Sequence, residues 1–218
     1  MWTLPNILTM IRLIAAPMVA VMFLYFTRPY ADWAALILFV GAALTDWLDG
    51  FLARAWKQES KLGAMLDPIA DKAMVVIALL VLASIFDLGA LILLPAALIV
   101  FREVFVSGLR EFLGDVAGTL QVTKVAKWKT TVQMIAIALL FAVGIFEHYF
   151  LIRTSGIDPQ ILDDILSSTL VDPNHLLFYY NGMYTAWFSG ITLLWAAATL
   201  TVITGVDYFR KALPHLRD

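Results

Sequence analysis

Six apolar runs, each long enough to cross a bilayer, constrain this chain more than any other feature; they lie at roughly 7–26, 33–55, 64–86, 90–112, 128–150 and 184–208. A transmembrane helix needs about 17–25 such residues, and a backbone in lipid must satisfy its polar groups internally. With 61% hydrophobic and 15% charged residues among 218, and a mean hydropathy of +0.84, too few polar groups remain to solvate the exterior of a soluble domain. The expectation is an all-α integral membrane protein, a six-transmembrane-helix bundle forming a single membrane domain over 1–218. Arg12 interrupts the first run, no basic cluster precedes it, and no small-residue cleavage site precedes Pro29. The run therefore reads as a retained span rather than a secretory signal. A net charge of −2 gives no basic field that would attract nucleic acid, and the absence of Cys excludes disulfides and thiolate metal sites.

Polar turns separate the runs at Arg28-Pro29-Tyr30-Ala31-Asp32, Lys57-Gln58-Glu59-Ser60-Lys61 and Phe86-Asp87-Leu88-Gly89. The segment 153–182 stands apart as an extracytoplasmic loop insertion. Within it, Ile161, Leu162, Ile165 and Leu166 alternate with acids at helical spacing, which predicts a short amphipathic helix. Phe178, Tyr179, Tyr180 and Tyr184 would follow it as an interfacial anchor. Basic residues set the orientation. Assigning each Lys or Arg to the nearer end of its span leaves only Arg28 and Arg153, of 15 in all, on the far side. Both termini and the hairpin at 57–61 are accordingly expected in the cytoplasm.

That hairpin joins two spans carrying Asp46, Asp49, Asp67 and Asp71. Carboxylates inside helices this apolar are costly and mark function by default. Asp46, Asp49, Gly50 and Ala53 share one helical face, as do Gly63, Asp67 and Asp71. In antiparallel neighbours, Asp49 and Asp67 fall near one level, with Asp46 and Asp71 about one turn deeper. With no His or Cys nearby, the donors are all oxygen and suit hard divalent cations. Two such ions would relieve the mutual repulsion of the acids and form a two-metal site suited to phosphoryl transfer. Gly50, Ala53 and Gly63 leave room for a bulky ligand, and Arg54 can pair bidentately with a phosphate. The alternative, interfacial charges among packing glycines, fits one or two acids but not four on converging faces.

The pattern Asp46-x2-Asp49-Gly50-x2-Ala53-Arg54-x8-Gly63-x3-Asp67-x3-Asp71 matches every fixed position of the CDP-alcohol phosphotransferase signature, and the chain resembles that family over most of its length. Leu4-Pro5-Asn6-Ile7-Leu8-Thr9-x2-Arg12 is similar to the family's opening segment. Arg102-Glu103-x3-Ser107-x2-Arg110-Glu111 and Lys124-x2-Lys127-x-Lys129-Thr130-x2-Gln133 resemble its bacterial phosphatidylglycerophosphate synthase branch. The resemblance implies transfer of a phosphatidyl group from CDP-diacylglycerol to sn-glycerol 3-phosphate with release of CMP, in the bacterial inner membrane, by a homodimer. It implies that Asp46, Asp49, Asp67 and Asp71 hold two ions, Mg²⁺ or Mn²⁺, with Asp71 also the general base. Gly50, Ala53, Arg54 and Ser60 would bind the donor's cytidine diphosphate, with Asn6 and Thr9 as further candidates.

An acceptor phosphate needs a second basic pocket. Arg110 and Lys129 are the favoured pair, with Arg102, Lys127 and Lys124 beside them, although positive-inside anchoring alone also places cations there. Glu103 and Glu111 are expected to pair with the arginines. Relatives acting on phosphatidylglycerol, inositol phosphate or serine would share the acids and differ at this pocket. A divalent-cation transporter is the competing class, but the spans turn uniformly apolar beyond Asp46 and Asp71 and offer no onward path.

Overall fold

Prolines, polar caps and left-handed residues punctuate the apolar runs. The computed structural model describes residues 3–56, 60–114, 124–172 and 174–216, with the side chains of 47–56 and 124–127 outside that description. Among the described residues all regular structure is helical: α1 (Leu4–Tyr25), α2 (Tyr30–Trp56), α3 (Lys61–Ile85), α4 (Ala90–Leu113), α5 (Lys124–Thr154), α6 (Pro159–Leu166) and α7 (Leu176–Ala212). Pro5 opens α1, where a missing N–H costs nothing. Gly114, at φ 51°, closes α4 in the left-handed region that favours glycine. Five helices, α1, α3, α4, α5 and α7, contain stretches long and apolar enough to cross a membrane. Of the six expected spans, the remaining one corresponds to α2, which has 27 residues but whose described side chains stop at Asp46. Leu24 (78% exposed), Leu80 (63%) and Phe101 (68%) point outward, a surface that suits lipid rather than water.

The chain divides into two compact units, Met1–Ala78 with Ala138–Gly190 and Leu79–Ile137 with Ile191–Asp218. In the first, α1 buries Thr9, Arg12, Ala16 and Val19, and α2 buries Ala31, Ala35, Phe39 and Ala42. Each set recurs every three or four residues, one stripe per helix, and α1 packs against α2. Alanines let the backbones approach closely, which in lipid replaces the hydrophobic drive between helices. Phe23 and Phe39 both meet Phe141 of α5 at 6.2 Å. A Cβ on Gly144 would strike the Arg28 guanidinium and the Asp32 carboxylate, so bare backbone makes room for their 2.8 Å ion pair. The hydrogen bond from Arg28 to the buried Asp32 raises the guanidinium above its ordinary range, against the cost of burial.

The predicted amphipathic helix is α6, whose first turn is capped by Asp158 accepting from the Gln160 N–H at 2.9 Å. The rest of the expected loop is shorter than the sequence suggested. α5 continues to Thr154 and α7 starts at Leu176, so the aromatic set at 178–184 lies within a helix instead of trailing a loop. Asp172 is the physical reason: its two carboxylate oxygens accept from the N–H groups of Leu176 and Leu177, both at 2.8 Å. Phe178, Tyr179 and Tyr180 then pack on Phe146, Tyr149 and Phe150 of α5, with ring centroids 6.0, 5.8 and 5.6 Å apart. In the second unit, α4 buries Ile92, Ala96 and Ile99, α7 buries Leu194, Ala197 and Ala198, and the Trp195 indole donates to the Leu91 carbonyl at 3.0 Å.

Candidate active site

One face of α1 carries Asn6, Thr9 and Arg12, three residues apart and only 3%, 1% and 2% exposed. Polar groups buried this deeply need partners, and in the first unit α2 and α3 supply them. Ser60 precedes α3; its oxygen accepts from the Gly63 N–H at 3.0 Å while its hydroxyl donates to Asn6 Oδ1 at 2.8 Å. A Cβ on Gly63 would lie 2.7 Å from Asn6 Oδ1, so this glycine makes room for a neighbouring side chain, where a ligand had been expected. One turn further along α1, the Thr9 hydroxyl donates to Asp67 Oδ1 at 2.6 Å.

Arg12 completes the face. Its Nη1 donates to Asp46 Oδ1 and, at 2.8 Å, to Asp71 Oδ1, while Nη2 lies 3.6 Å from Asp67 Oδ1. The expected convergence of Asp46 on α2 with Asp67 and Asp71 on α3 is therefore present, gathered around a cation from a third helix. Arg12 is nearly inaccessible, whereas the three carboxylates keep 46%, 43% and 50% of their side-chain exposure. The acids are thus fastened to protein through Arg12 while their side chains stay partly exposed. Pro68, between Asp67 and Asp71, donates no N–H to the carbonyl one turn back, a local break in the helix that carries both acids.

Asp49, Gly50, Ala53 and Arg54 lie on α2, but their side chains are outside the described residues. Among the described residues, no group of three or more Asp, Glu or His is arranged to hold a metal ion. Sequence reasoning treated Arg12 as an interruption of a span and as part of a family segment, and missed its place at the centre. The usable signal was its charge: an ionised residue inside a span turns inward and pairs, and the available acids were those on the neighbouring runs.

The basic residues expected to bind an acceptor belong to the second unit. Lys129 is 5% exposed, with Nζ 2.5 Å from Glu103 Oε1, and the same oxygen accepts from Arg102 Nη1 at 2.9 Å. Two cations therefore share one carboxylate, leaving the trio net positive. The Arg110 guanidinium lies over the Tyr208 ring, 5.3 Å from its centroid. Glu103 pairs as expected, though with a lysine as well as an arginine. Lys124 and Lys127 have their side chains outside the described residues.

Clustered, partly exposed carboxylates are the kind of group that attracts hard cations and accepts a proton. A family model described as CDP-alcohol phosphatidyltransferase matches residues 2–157. A protein of Cereibacter sphaeroides named CDP-diacylglycerol–glycerol-3-phosphate 3-phosphatidyltransferase is 57% identical over 218 residues, covering 100% of this chain and 98% of its own. An Escherichia coli K12 protein of the same name is 38% identical over 151 residues, covering 68% of this chain and 82% of its own.

Proposed function

The chain belongs to the CDP-alcohol phosphatidyltransferase family, and from that premise we propose that it transfers the phosphatidyl group of CDP-diacylglycerol to sn-glycerol 3-phosphate, giving phosphatidylglycerophosphate and CMP. The observation that carries this function is the likeness over the whole chain to the Cereibacter relative, whose name states the reaction. The gathered carboxylates supply the chemistry the reaction needs.

Asp46, Asp49, Asp67 and Asp71 would hold two divalent cations, Mg²⁺ or Mn²⁺. The donor chemistry suits such ions: it is all carboxylate oxygen, and its described members already share one buried cation. Bound there, the ions would offset negative charge on the diphosphate as it develops. The acceptor hydroxyl attacks the phosphatidyl phosphorus, CMP departs from the opposite side, and Asp71 takes the hydroxyl proton. Arg54, Gly50 and Ala53 on α2, with Ser60, Asn6 and Thr9, would seat the cytidine diphosphate. The net-positive group of Arg102, Lys129 and Arg110, with Lys124 and Lys127 nearby in sequence, would recognise the acceptor phosphate.

α2 counts as the sixth span. Both termini and the acids then face the cytoplasm of a bacterial inner membrane, where the donor's acyl chains stay in lipid while its headgroup reaches water. A homodimer completes the proposal and is checked by crosslinking in native membranes. The catalytic test uses protein purified in detergent with CDP-diacylglycerol, Mg²⁺ and one acceptor at a time. CMP release is expected with glycerol 3-phosphate. Release with inositol phosphate, serine or phosphatidylglycerol, and none with glycerol 3-phosphate, overturns the assignment.

A further inference from the structure

Three cations of the second unit must stay close together to recognise one phosphate, and close cations repel. Arg102 and Lys129 offset that repulsion by sharing Glu103, at 2.9 and 2.5 Å. Arg110 stands near enough for its charge to act on Lys129, in the last turn of α4 and with an exposed side chain. A ring holds it there: the guanidinium carbon lies 5.3 Å from the centroid of Tyr208 on α7. Tyr208 is 6% exposed, so it is a fixed platform beneath a side chain that in water would sample many rotamers. Earlier along α4 the same two helices also meet, where Phe105 lies 5.6 Å from Phe209 and a Cβ on Gly205 would come 3.0 Å from Arg102 Cγ. Gly205 and Tyr208 are three residues apart on one face of α7, so that face seats the stem of one arginine and the head of the other.

A ring and a carboxylate hold a guanidinium differently. A carboxylate neutralises it and competes with an incoming phosphate for the same N–H donors. A ring attracts it through the negative face of its π-system, occupies no donor and leaves the charge uncompensated. We propose that Tyr208 is the positioning residue of the acceptor pocket: its ring holds the Arg110 guanidinium beside Lys129 and Arg102, with charge and donors available to the acceptor's phosphate. This rests on the acceptor site proposed above, and it gives α7, which carries none of the basic residues named for that site, a part in it. Among the described residues the Tyr208 hydroxyl is buried with no hydrogen-bond partner, so the ring rather than the hydroxyl carries the role.

The test compares Tyr208→Leu with Tyr208→Phe as detergent-purified proteins, each shown to be folded by its thermal unfolding. Steady-state CMP release is measured at varied glycerol 3-phosphate and, separately, at varied CDP-diacylglycerol. Tyr208→Leu removes the platform and should raise KM for glycerol 3-phosphate by roughly 3–30-fold, the range for a lost cation–π contact. Its kcat and its KM for CDP-diacylglycerol should stay at wild-type values, the signature of lost ground-state binding of one substrate. Tyr208→Phe keeps the ring and should keep the wild-type KM for both. Tyr208→Met, which has comparable reach and no ring, decides the matter should Tyr208→Leu fail to fold. An unchanged KM for glycerol 3-phosphate in the ringless variant, or an equal rise for both substrates, overturns the inference and leaves the acceptor assignment intact. A KM raised as far in Tyr208→Phe as in Tyr208→Leu assigns the effect to the hydroxyl and overturns it too. Wild-type protein that releases no CMP with glycerol 3-phosphate overturns the acceptor assignment itself, and the inference with it.

Discussion

Asp71 has two partners to serve. Its carboxylate accepts from Arg12 at 2.8 Å, and in the proposed reaction it also takes the proton of the attacking hydroxyl. Asp71→Asn keeps the shape and an acceptor oxygen but loses the basic charge. Turnover should fall by about 10²–10⁴-fold, the range for a lost general base, while Mn²⁺ binding largely persists. Full activity in that variant removes Asp71 from its role. Arg110 calls for a different readout. Its stacking on Tyr208 leaves guanidinium donors for a phosphate, so Arg110→Gln should raise KM for glycerol 3-phosphate and leave KM for CDP-diacylglycerol unchanged. Losing one charge-assisted hydrogen bond corresponds to roughly 10–100-fold. Equal effects on both substrates would point to a structural role instead. The acids were legible in sequence because charge is so rare within such apolar runs. Lys129 was harder to place: its partner Glu103 lies 26 positions away on another helix, and positive-inside anchoring accounts equally well for a lysine at that depth.

The start of α7 shows what an element-scale pattern conceals. Hydropathy locates the most apolar stretch of a helix, and 176–183 contains Asn181, Gly182 and two tyrosines, which pushed the expected start to 184. The helix begins earlier because Asp172 satisfies its first donors and because its aromatic turns pack on α5. Asp172→Ala should destabilise the protein by about 0.5–2 kcal/mol, the usual cost of a lost cap, seen as a lower unfolding temperature in detergent. The cap also has a pH signature. Partial burial raises the Asp172 carboxyl, but the N–H groups of Leu176, Leu177 and Asn174 outweigh that and hold it below its ordinary value. The stabilisation is then fully present above the unfolded-state pKa and is lost as pH falls through the lower folded one. Wild type should therefore lose stability relative to Asp172→Ala on acidification through that window; parallel profiles would exclude the cap as the source. α1 and α3, by contrast, lie within a few residues of their expected limits, because proline or a polar cap and an apolar run mark the same boundaries.

For the whole molecule, the lack of cysteine makes topology directly measurable, since any cysteine introduced is unique. Ser168 and His215 are exposed, after α6 and after α7 respectively. With α2 as a sixth span, Ser168→Cys should react with an impermeant maleimide in intact spheroplasts, and His215→Cys only after lysis. The reverse pattern would invert the orientation. Arg12 bears on a further stage in the life of the chain. An arginine near the middle of a span costs about 2.5–3.5 kcal/mol to insert, and its acidic partners Asp67 and Asp71 are on α3. During synthesis α1 enters the membrane before any of these acids exists, so it carries an unmet charge until Asp46 arrives on α2, and its full set of described partners only with α3. A fragment ending after α1 should be degraded quickly in cells, one ending after α3 should persist, and Arg12→Leu should lengthen the lifetime of the shorter fragment alone. With that outcome, the ion pairs of the site would also serve as a checkpoint on assembly, separating finished chains from abandoned ones.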